Sequence, residues 1–398
     1  MAVSVRKRES VQDAEPRRIT ILGSTGSVGC NTIDLIQRRP ELYTVEALTA
    51  NSNAKQLAEQ ARKLRPNRAV IADERCYGDL KEALAGTGIE VGAGAKALVE
   101  AASLPADWVM AAIVGAAGLE PTLTAVRRGA TVAFANKECL VCAGELMMVE
   151  VERSGATLLP VDSEHSAIFQ VFDFANSDAV ERIILTASGG PFLKLDRAAM
   201  EKVTPKQAMA HPNWDMGAKI SVDSATMMNK GLEIIEAYHL FPVPEGRIDI
   251  LVHPQSVVHS MVAYNDGSVL AQMGMPDMRT PIAYALAWPK RIAAPAERLD
   301  LASVATLTFE QPDTARFPAL KLARQALQSG GAAPTVLSAA NEVAVQAFLA
   351  RRIGFLDITR IVEGTLEAVP LAALKTLEEV YDTDAEARRE AEELMERI

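Results

Sequence analysis

The sequence predicts an α/β protein: an N-terminal Rossmann-like, doubly wound parallel sheet, then a central α+β domain, then a C-terminal helical domain. Three observations carry this expectation. Short β-branched runs alternate with helical patterns through the first part of the chain, as they do where parallel strands are joined by crossover helices. A glycine-rich turn joins the first strand to the first helix. The length of 398 residues exceeds the size at which a single hydrophobic core keeps growing, so two or three domains are expected.

Taken in order, strands are expected at 18–22, 43–49, 68–72, 108–113 and 131–135, with helices at 27–39 and 54–64. From about Leu158 the character changes. Gly, Ser, His and Pro cluster around strands at 182–186, 248–253 and 268–272. Strands that follow one another without a helix between them imply a sheet that is partly antiparallel. The Pro- and Ala-containing stretch 289–313 reads as a linker. Helical periodicity returns at 319–326, 336–349, 358–368 and 382–397, the last opened by Asp382 with Asp384 and Glu386 in its first turn, which suits a helix N-terminus. The expected organisation is a disordered leader over 1–17 and domains over 18–161 and 162–288, then the linker and a helical domain over 314–398.

Composition narrows the function. Apolar residues make up 49% and charged residues 23% of the chain, an ordinary balance for a globular protein. A formal net charge of -10 argues against a general nucleic-acid binder, which needs a basic face for phosphates. It leaves room for an anionic small substrate, because the local field of a pocket can oppose the overall charge. No stretch reaches the roughly 18 apolar residues of a membrane span, and the mixed-charge start resembles neither a signal peptide nor an anchor. The 4 cysteines are too sparse for a disulfide framework, which points to a reducing compartment such as the cytoplasm. Cys139 and Cys142 form a C-x-x-C, but apolar Leu140 and Val141 lie between them and no second pair is near, so buried incidental thiols are expected.

Two regions carry chemistry. The strand Ile19-Thr20-Ile21-Leu22 runs into Gly23-Ser24-Thr25-Gly26-Ser27-Val28-Gly29, which opens a helix. Small residues there allow a tight turn and close approach of a pyrophosphate to the helix N-terminus. In this strand–turn–helix context the G-x-x-G-x-x-G spacing points to a dinucleotide rather than to a bare tight turn. The second strand ends in Asn51-Ser52-Asn53, without the carboxylate that usually holds an NAD ribose, which favours NADP.

The second region begins at Asp162-Ser163-Glu164-His165. Were this segment extended, the two carboxylates would point to one side and could grip one hard cation; surface acids at this spacing are also common. Ser224, Asn229 and Lys230 offer hydroxyl, amide and ammonium donors near a helix start, a set suited to phosphate, and Glu233 one turn on can supply a third carboxylate. The plainer alternative makes Ser224 a cap and Lys230 a solvated charge. Ser188, in Thr186-Ala187-Ser188-Gly189-Gly190-Pro191, offers another anion cradle. His211-Pro212-Asn213-Trp214-Asp215-Met216-Gly217 combines a titratable ring with a large aromatic and hinge residues, as a lid does. His165, His211 and His259 all sit in polar company that makes them candidate proton carriers.

Taken together these segments resemble the 1-deoxy-D-xylulose 5-phosphate reductoisomerase family. The matching blocks are GSTGSVG, MAAIVGAAGLEPT, ANKE, LLPVDSEH, SGGPF, HPNWDMGAKISVDSATMMNKGLE, HPQSVVHSMV, GMPDMRTPIAYALAWP and AANEVAVQAFL, in the family's order from about Ile19 into the C-terminal helices. The resemblance implies a V-shaped, cytoplasmic bacterial homodimer that isomerises and reduces 1-deoxy-D-xylulose 5-phosphate to 2-C-methyl-D-erythritol 4-phosphate, early in non-mevalonate isoprenoid precursor synthesis. It implies NADPH in the 18–161 domain and catalysis in the 162–288 domain. Asp162, Glu164 and Glu233 would bind Mg²⁺ or Mn²⁺. Lys137, Ser163 and Glu164 would meet the substrate's carbonyl end, and Ser188, His211, Ser224, Asn229 and Lys230 its phosphate and distal hydroxyls, with Glu233 alongside. Thr25, Gly26, Ser27, Val28, Asn51, Ser52, Asn53, Asn136, Glu138 and Gly217 match positions that contact NADPH, and Trp214 and Met216 match a mobile flap. The chain departs from the family at Cys139, where Ser is usual, and at Ser52, which is Lys in some members.

Rival readings make separate demands. An NADP-dependent semialdehyde or acyl-phosphate dehydrogenase would not need three acids and would survive chelation. A non-redox isomerase or aldolase would turn over without NADPH. A non-catalytic NADP-sensing module would bind no sugar phosphate.

Overall fold

The computed structural model describes residues 15–397 other than 212, 213 and 215; the expected leader falls outside the described residues up to position 14. The chain divides into two compact units, 1–110 and 111–398. Strands β1 (Arg17–Leu22), β2 (Tyr43–Ala50), β3 (Arg68–Ile71), β4 (Glu90–Ala93) and β5 (Trp108–Ala111) alternate with helices Ser27–Gln37, Ala54–Leu64, Tyr77–Ala83 and Gly94–Ser103. β1 pairs parallel with β2, placing Ile19 against Val45, and β2 with β3, placing Leu48 against Ala69. Ile19, Ile21, Leu48, Leu57 and Ile71 are completely buried. This two-sided burial explains the near-continuous apolar strands that a parallel sheet requires.

In the second unit β6 (Thr131–Phe134) and β7 (Thr157–Pro160) pair parallel. The first seven strands form one sheet in the order β4-β3-β2-β1-β5-β6-β7. The expected doubly wound parallel sheet is therefore present. A second sheet joins β8 (Val180–Ala187), β9 (Ile248–Val252), β10 (Val258–Tyr264) and β11 (Val269–Met273) in the order β11-β10-β8-β9. β10 is antiparallel to both neighbours and β8 is parallel to β9, so the expected partly antiparallel region is also present.

The stretch 289–313 is mostly irregular, with one short helix, Leu301–Val304, and a bridge from Glu310 to Val252. Helices Ala319–Ser329, Ala333–Leu349, Asp357–Ala368 and Leu377–Met395 complete the chain. The last helix starts before the expected Asp382, because Thr376 and Glu379 form a capping box that satisfies two backbone donors at once. Ala332, Val336, Ala339, Val369 and Ala387 bring these helices together over one apolar cluster.

Candidate active site

In the first unit the glycine-rich turn leaves β1 through Gly23 at φ +87°. A Cβ on Gly29 would lie 2.3 Å from the Gly23 carbonyl oxygen, so the helix can pack this closely on the strand end only without a side chain. Ser24 N donates to Thr49 O at 2.7 Å and Gly23 N to Thr49 Oγ1 at 2.9 Å, which holds the turn against the end of β2. Gly26 and Ser27 are exposed, and helix Ser27–Gln37 has neither a side-chain cap nor an acid in its first turn. Its first N–H groups, which no helical carbonyl can satisfy, are thus open to an anion. Asn51, Ser52 and Asn53 are exposed at the end of β2, and the Asn53 side chain caps helix Ala54–Leu64 by accepting from Gln56 N at 3.1 Å.

The second unit gathers the acids. Asp162 is not in an extended segment: it caps helix Ser163–Val171, with Oδ1 accepting from Glu164 N at 3.2 Å. The carboxylate is turned back over the first helical turn, and Glu164 projects from that turn. Helix Ala218–Thr226 then breaks at Met227, held at φ +64°, a conformation uncommon for a residue with a side chain. The corner starts helix Met228–Leu240, whose Asn229, Glu233 and Glu236 share one face at i, i+4 and i+7 spacing. Ser224 lies inside the helix before the corner and is not the N-cap that the plainer reading would make it.

These elements bring one ligand oxygen each of Asp162, Glu164 and Glu233 within 4.8 Å of one another. Lys230 Nζ donates to Glu164 Oε1 at 3.0 Å and to Glu233 Oε2 at 2.5 Å. Lys137, in the first turn of helix Lys137–Ser154, donates from Nζ to Asp162 Oδ2 and, at 3.3 Å, to Glu236 Oε2. Asn229 Nδ2 donates to Glu233 Oε1 at 2.5 Å, and Ser163 Oγ to Glu164 Oε2 at 2.6 Å. His165 Nε2 lies 3.0 Å from Glu233 O, while its Nδ1 is 3.7 Å from both Asp162 Oδ1 and Glu236 Oε2.

The charges are unequal. Burial, with Asp162 and Glu164 nearby, pushes Glu233 up to about 8. Burial likewise lifts Glu236 to about 7. Burial opposes ionisation of Asp162, yet Lys137, His165 and Lys230 outweigh it and hold this carboxyl below the usual range. Burial also disfavours the two ammonium groups, but the surrounding carboxylates prevail and keep Lys137 and Lys230 charged. An all-oxygen donor set with surplus acid suits a hard divalent cation such as Mg²⁺ or Mn²⁺. Two buried atoms without a hydrogen-bond partner, His165 Nδ1 and Asn229 Oδ1, lie in the same cluster. The residues fit a metal.

A pH dependence follows for the metal-free protein. Glu233 and Glu236 hold their protons more tightly folded than unfolded, so the folded state carries more protons between the ordinary carboxyl range and about pH 8. Stability from this source is full below the unfolded value and is lost as pH rises through the folded values. Melting followed by circular dichroism is expected to show a lower Tm at pH 8 than at pH 6 without metal. Mg²⁺ or Mn²⁺, which binds the ionised carboxylates, is expected to abolish or reverse that slope.

A second cluster stands at the end of β8. Ser188 Oγ and His211 Nε2 are 2.8 Å apart, and Trp214 N donates to His211 Nδ1 at 3.0 Å. With Nδ1 accepting, the neutral ring carries its proton on Nε2 and donates to Ser188. Burial lowers the His211 pKa against an opposing pull from Glu164, and does the same to His259 on β10. The Trp214 and His259 rings are 6.3 Å apart. Gly190, at φ +66°, presses on the next segment so closely that a Cβ would come within 2.7 Å of Ser224 O. Met216 and Gly217 lead into helix Ala218–Thr226, and Ser221 Oγ donates to Gly217 O at 3.1 Å. Pro212, Asn213 and Asp215 of the expected lid lie outside the described residues.

Asn136 caps helix Lys137–Ser154 by accepting from Cys139 N at 3.2 Å, and its amide donates to Gly115 O at 3.1 Å. Glu138 accepts from Gly115 N at 3.4 Å. Cys139 and Cys142 are free and buried, with burial pushing both thiols up, as expected of structural rather than reactive cysteines. Glu236 is a member of the cluster that no sequence motif marks beyond its three-residue spacing from Glu233, and Lys219 and Asp223 are likewise unmarked in the sequence.

Comparisons with known proteins place the chain in a family. Residues 19–144 match the family model described as 1-deoxy-D-xylulose 5-phosphate reductoisomerase, 158–241 its C-terminal domain, and 273–390 the DXP reductoisomerase C-terminal domain. A relative of that name from Rhodospirillum centenum is 68% identical over 395 residues, covering 99% of this chain and 98% of its own. One from Zymomonas mobilis is 60% identical over 97% of this chain and 99% of its own. The solved Zymomonas mobilis reductoisomerase in complex with NADPH superimposes with a TM-score of 0.92 at 58% identity, covering 96% of this chain and 100% of that one. A reductoisomerase solved with NADPH, fosmidomycin and magnesium gives a TM-score of 0.92 at 42% identity, over 96% of this chain and 98% of that one. With family models spanning most of its length and relatives this similar end to end, the chain belongs to the 1-deoxy-D-xylulose 5-phosphate reductoisomerase family.

Proposed function

We propose that the acid cluster and the Ser188–His211 cluster form one catalytic site, with these residues in the roles that follow. The activity is the family's: NADPH-dependent isomerisation and reduction of 1-deoxy-D-xylulose 5-phosphate to 2-C-methyl-D-erythritol 4-phosphate, a step of non-mevalonate isoprenoid precursor synthesis. The observation that carries the site assignment is the approach of Asp162, Glu164 and Glu233 to within 4.8 Å of one another, with the partly buried Lys137 and the buried Lys230 bonded to them.

Asp162, Glu164 and Glu233 would hold the divalent cation, which would supply polarisation of a substrate carbonyl, and NADPH would supply the hydride. Lys137 and Ser163 bind the carbonyl end of the substrate beside Glu164, and the fixed positive charge of Lys137 favours a developing oxyanion. Ser188, Ser224, Asn229 and Lys230 hold the phosphate and distal hydroxyls, with neutral His211 donating from Nε2. Binding energy gathered this far from the reacting carbons can be spent on closing the flap. Trp214 and Met216 cover the substrate, exclude water and retain the intermediate aldehyde. His165 and His259 bracket the site as proton carriers. Thr25, Gly26, Ser27, Val28, Asn51 and Ser52 are assigned to NADPH in the first unit, and Asn136, Glu138 and Gly217 in the second. Because Asn53 caps a helix, its cofactor contact is assigned to whatever donor capacity capping leaves. The protein is further proposed to be a cytoplasmic homodimer, with residues 18–161 as its NADPH domain and 162–288 as its catalytic domain.

The test is oxidation of NADPH with 1-deoxy-D-xylulose 5-phosphate and Mn²⁺, followed by the loss of reduced-nicotinamide absorbance. Turnover is expected to stop with EDTA and to return with Mn²⁺. Oxidation that persists in EDTA would refute the metal role and favour a plain dehydrogenase.

A further inference from the structure

Lys219 stands where local helix physics disfavours it. It lies in the first turn of helix Ala218–Thr226, where the helix dipole opposes a cation. Its partner Asp223, at i+4, follows it, the less favourable order for such a pair. Lys219 is nevertheless largely buried, with Nζ 2.9 Å from Asp223 Oδ2 and 3.6 Å from Glu138 Oε1. The other Asp223 oxygen accepts from Asn341 Nδ2 at 2.8 Å, and Asn341 is wholly buried in helix Ala333–Leu349. Asp223 itself is 1% exposed. A residue that breaks two local rules needs a tertiary reason.

That reason lies in what the ammonium connects. On one side is Glu138, beside Lys137 at the start of helix Lys137–Ser154 and bonded to Gly115 N. On the other is the helix that begins directly after Met216 and Gly217 and carries Ser224. Asn341 anchors that helix to the C-terminal helical region through Asp223.

We propose that Lys219 is a positioning residue: its ammonium ties the cofactor-side carboxylate Glu138 to the hinge that follows the flap, with Asp223 and Asn341 as the fixed end. The inference rests on the proposed assignment of Glu138 to NADPH and of Trp214 and Met216 to the flap. Without the tie, Glu138 loses its orientation and the hinge its registration, so cofactor binding and flap order weaken together.

The test compares wild type, K219M and K219R in steady-state turnover with Mn²⁺, varying NADPH and substrate separately. Wild-type turnover first establishes the assignment on which the inference rests, so the two can fail separately. K219M is expected to raise KM for NADPH about tenfold, with a smaller fall in kcat, and K219R to restore most of the loss. A double-mutant cycle with E138Q is expected to be non-additive in KM for NADPH, because the two side chains share one interaction. A K219M enzyme with a lower Tm but unchanged KM for both ligands would overturn the proposal, as would additivity in the cycle. Should K219M fail to fold, N341A removes the carboxamide that donates to Asp223 and leaves Lys219 and Glu138 in place. It is expected to raise KM for NADPH about threefold, and an unchanged value would likewise overturn the proposal.

Discussion

Glu233→Gln is expected to lower kcat/KM by about a thousandfold or more, the scale associated with losing a group that holds a catalytic metal ion. Glu233 is completely buried, and its carboxylate accepts from Asn229 and Lys230 while facing Asp162 and Glu164. The amide keeps the size and loses the charge. Mn²⁺ affinity, measured by calorimetry on the folded variant, is expected to fall by about a hundredfold. The same substitution separates function from folding. The wild-type group is lifted to about 8 by burial and the neighbouring acids, so a neutral amide removes a destabilising charge from the metal-free protein. The metal-free Tm at pH 8 is therefore expected to hold or rise even as activity disappears. Retained Mn²⁺ affinity, or activity within a few fold of wild type, would remove Glu233 from the metal set.

Lys137→Ala is expected to reduce kcat by about a thousandfold, comparable to removing a fixed charge aimed at a developing oxyanion. Lys137 Nζ bridges Asp162 and Glu236 and lies 3.6 Å from Glu233, so its loss leaves the buried Glu233 and Glu236 and the partly buried Asp162 with one fewer counter-charge. Breaking one side of a buried ionic cluster costs about 3–5 kcal/mol. The metal-free variant is thus expected to melt well below wild type. A divalent cation can replace the missing charge, so Mg²⁺ should raise the variant's Tm more than it raises that of wild type. Restored stability without restored turnover would mark Lys137 as chemical as well as structural. If kcat stayed within threefold of wild type, the lysine would be only a counter-ion.

Legibility in the sequence differed from element to element. β1, β2, β3, β5 and β6 stood out because strands buried on both faces are apolar runs bounded by turn residues. β4, Glu90–Ala93, did not, since a short edge strand containing glycine has little apolar pattern. β10 was hidden because its start, around Val258 and His259, sits beside Pro254 and among the serines and histidines that make His259 a candidate proton carrier. In the sheet it is nonetheless central, with β8 on one side and β11 on the other. The true start of the last helix was written as Thr376 and Glu379, a signal overshadowed by the acids around Asp382.

At the site, the same contrast holds. Asp162, Ser163, Glu164, Asn229, Lys230 and Glu233 could be named from the sequence because dense polar side chains at short spacing are a local property, and the family's blocks preserve it. The fold class, the glycine-rich turn and the charge balance that argues against a general nucleic-acid binder are local or compositional in the same way. Convergence is not. Whether Asp162 lies on a strand or caps a helix depended on where β7 delivered the chain, and the sequence spacing alone favoured the wrong geometry. Glu236 became part of the site only when its helix face turned toward Lys137 and His165. Lys219 and Asn341 are 122 positions apart in the numbering yet meet on one carboxylate, Asp223. Such contacts arise from how helices and strands pack. Burial and neighbouring charge then set the acidities: burial leaves Glu233 weakly acidic, whereas Lys137, His165 and Lys230 outweigh burial at Asp162 and make it strongly acidic, although both are ordinary carboxyls in the chain.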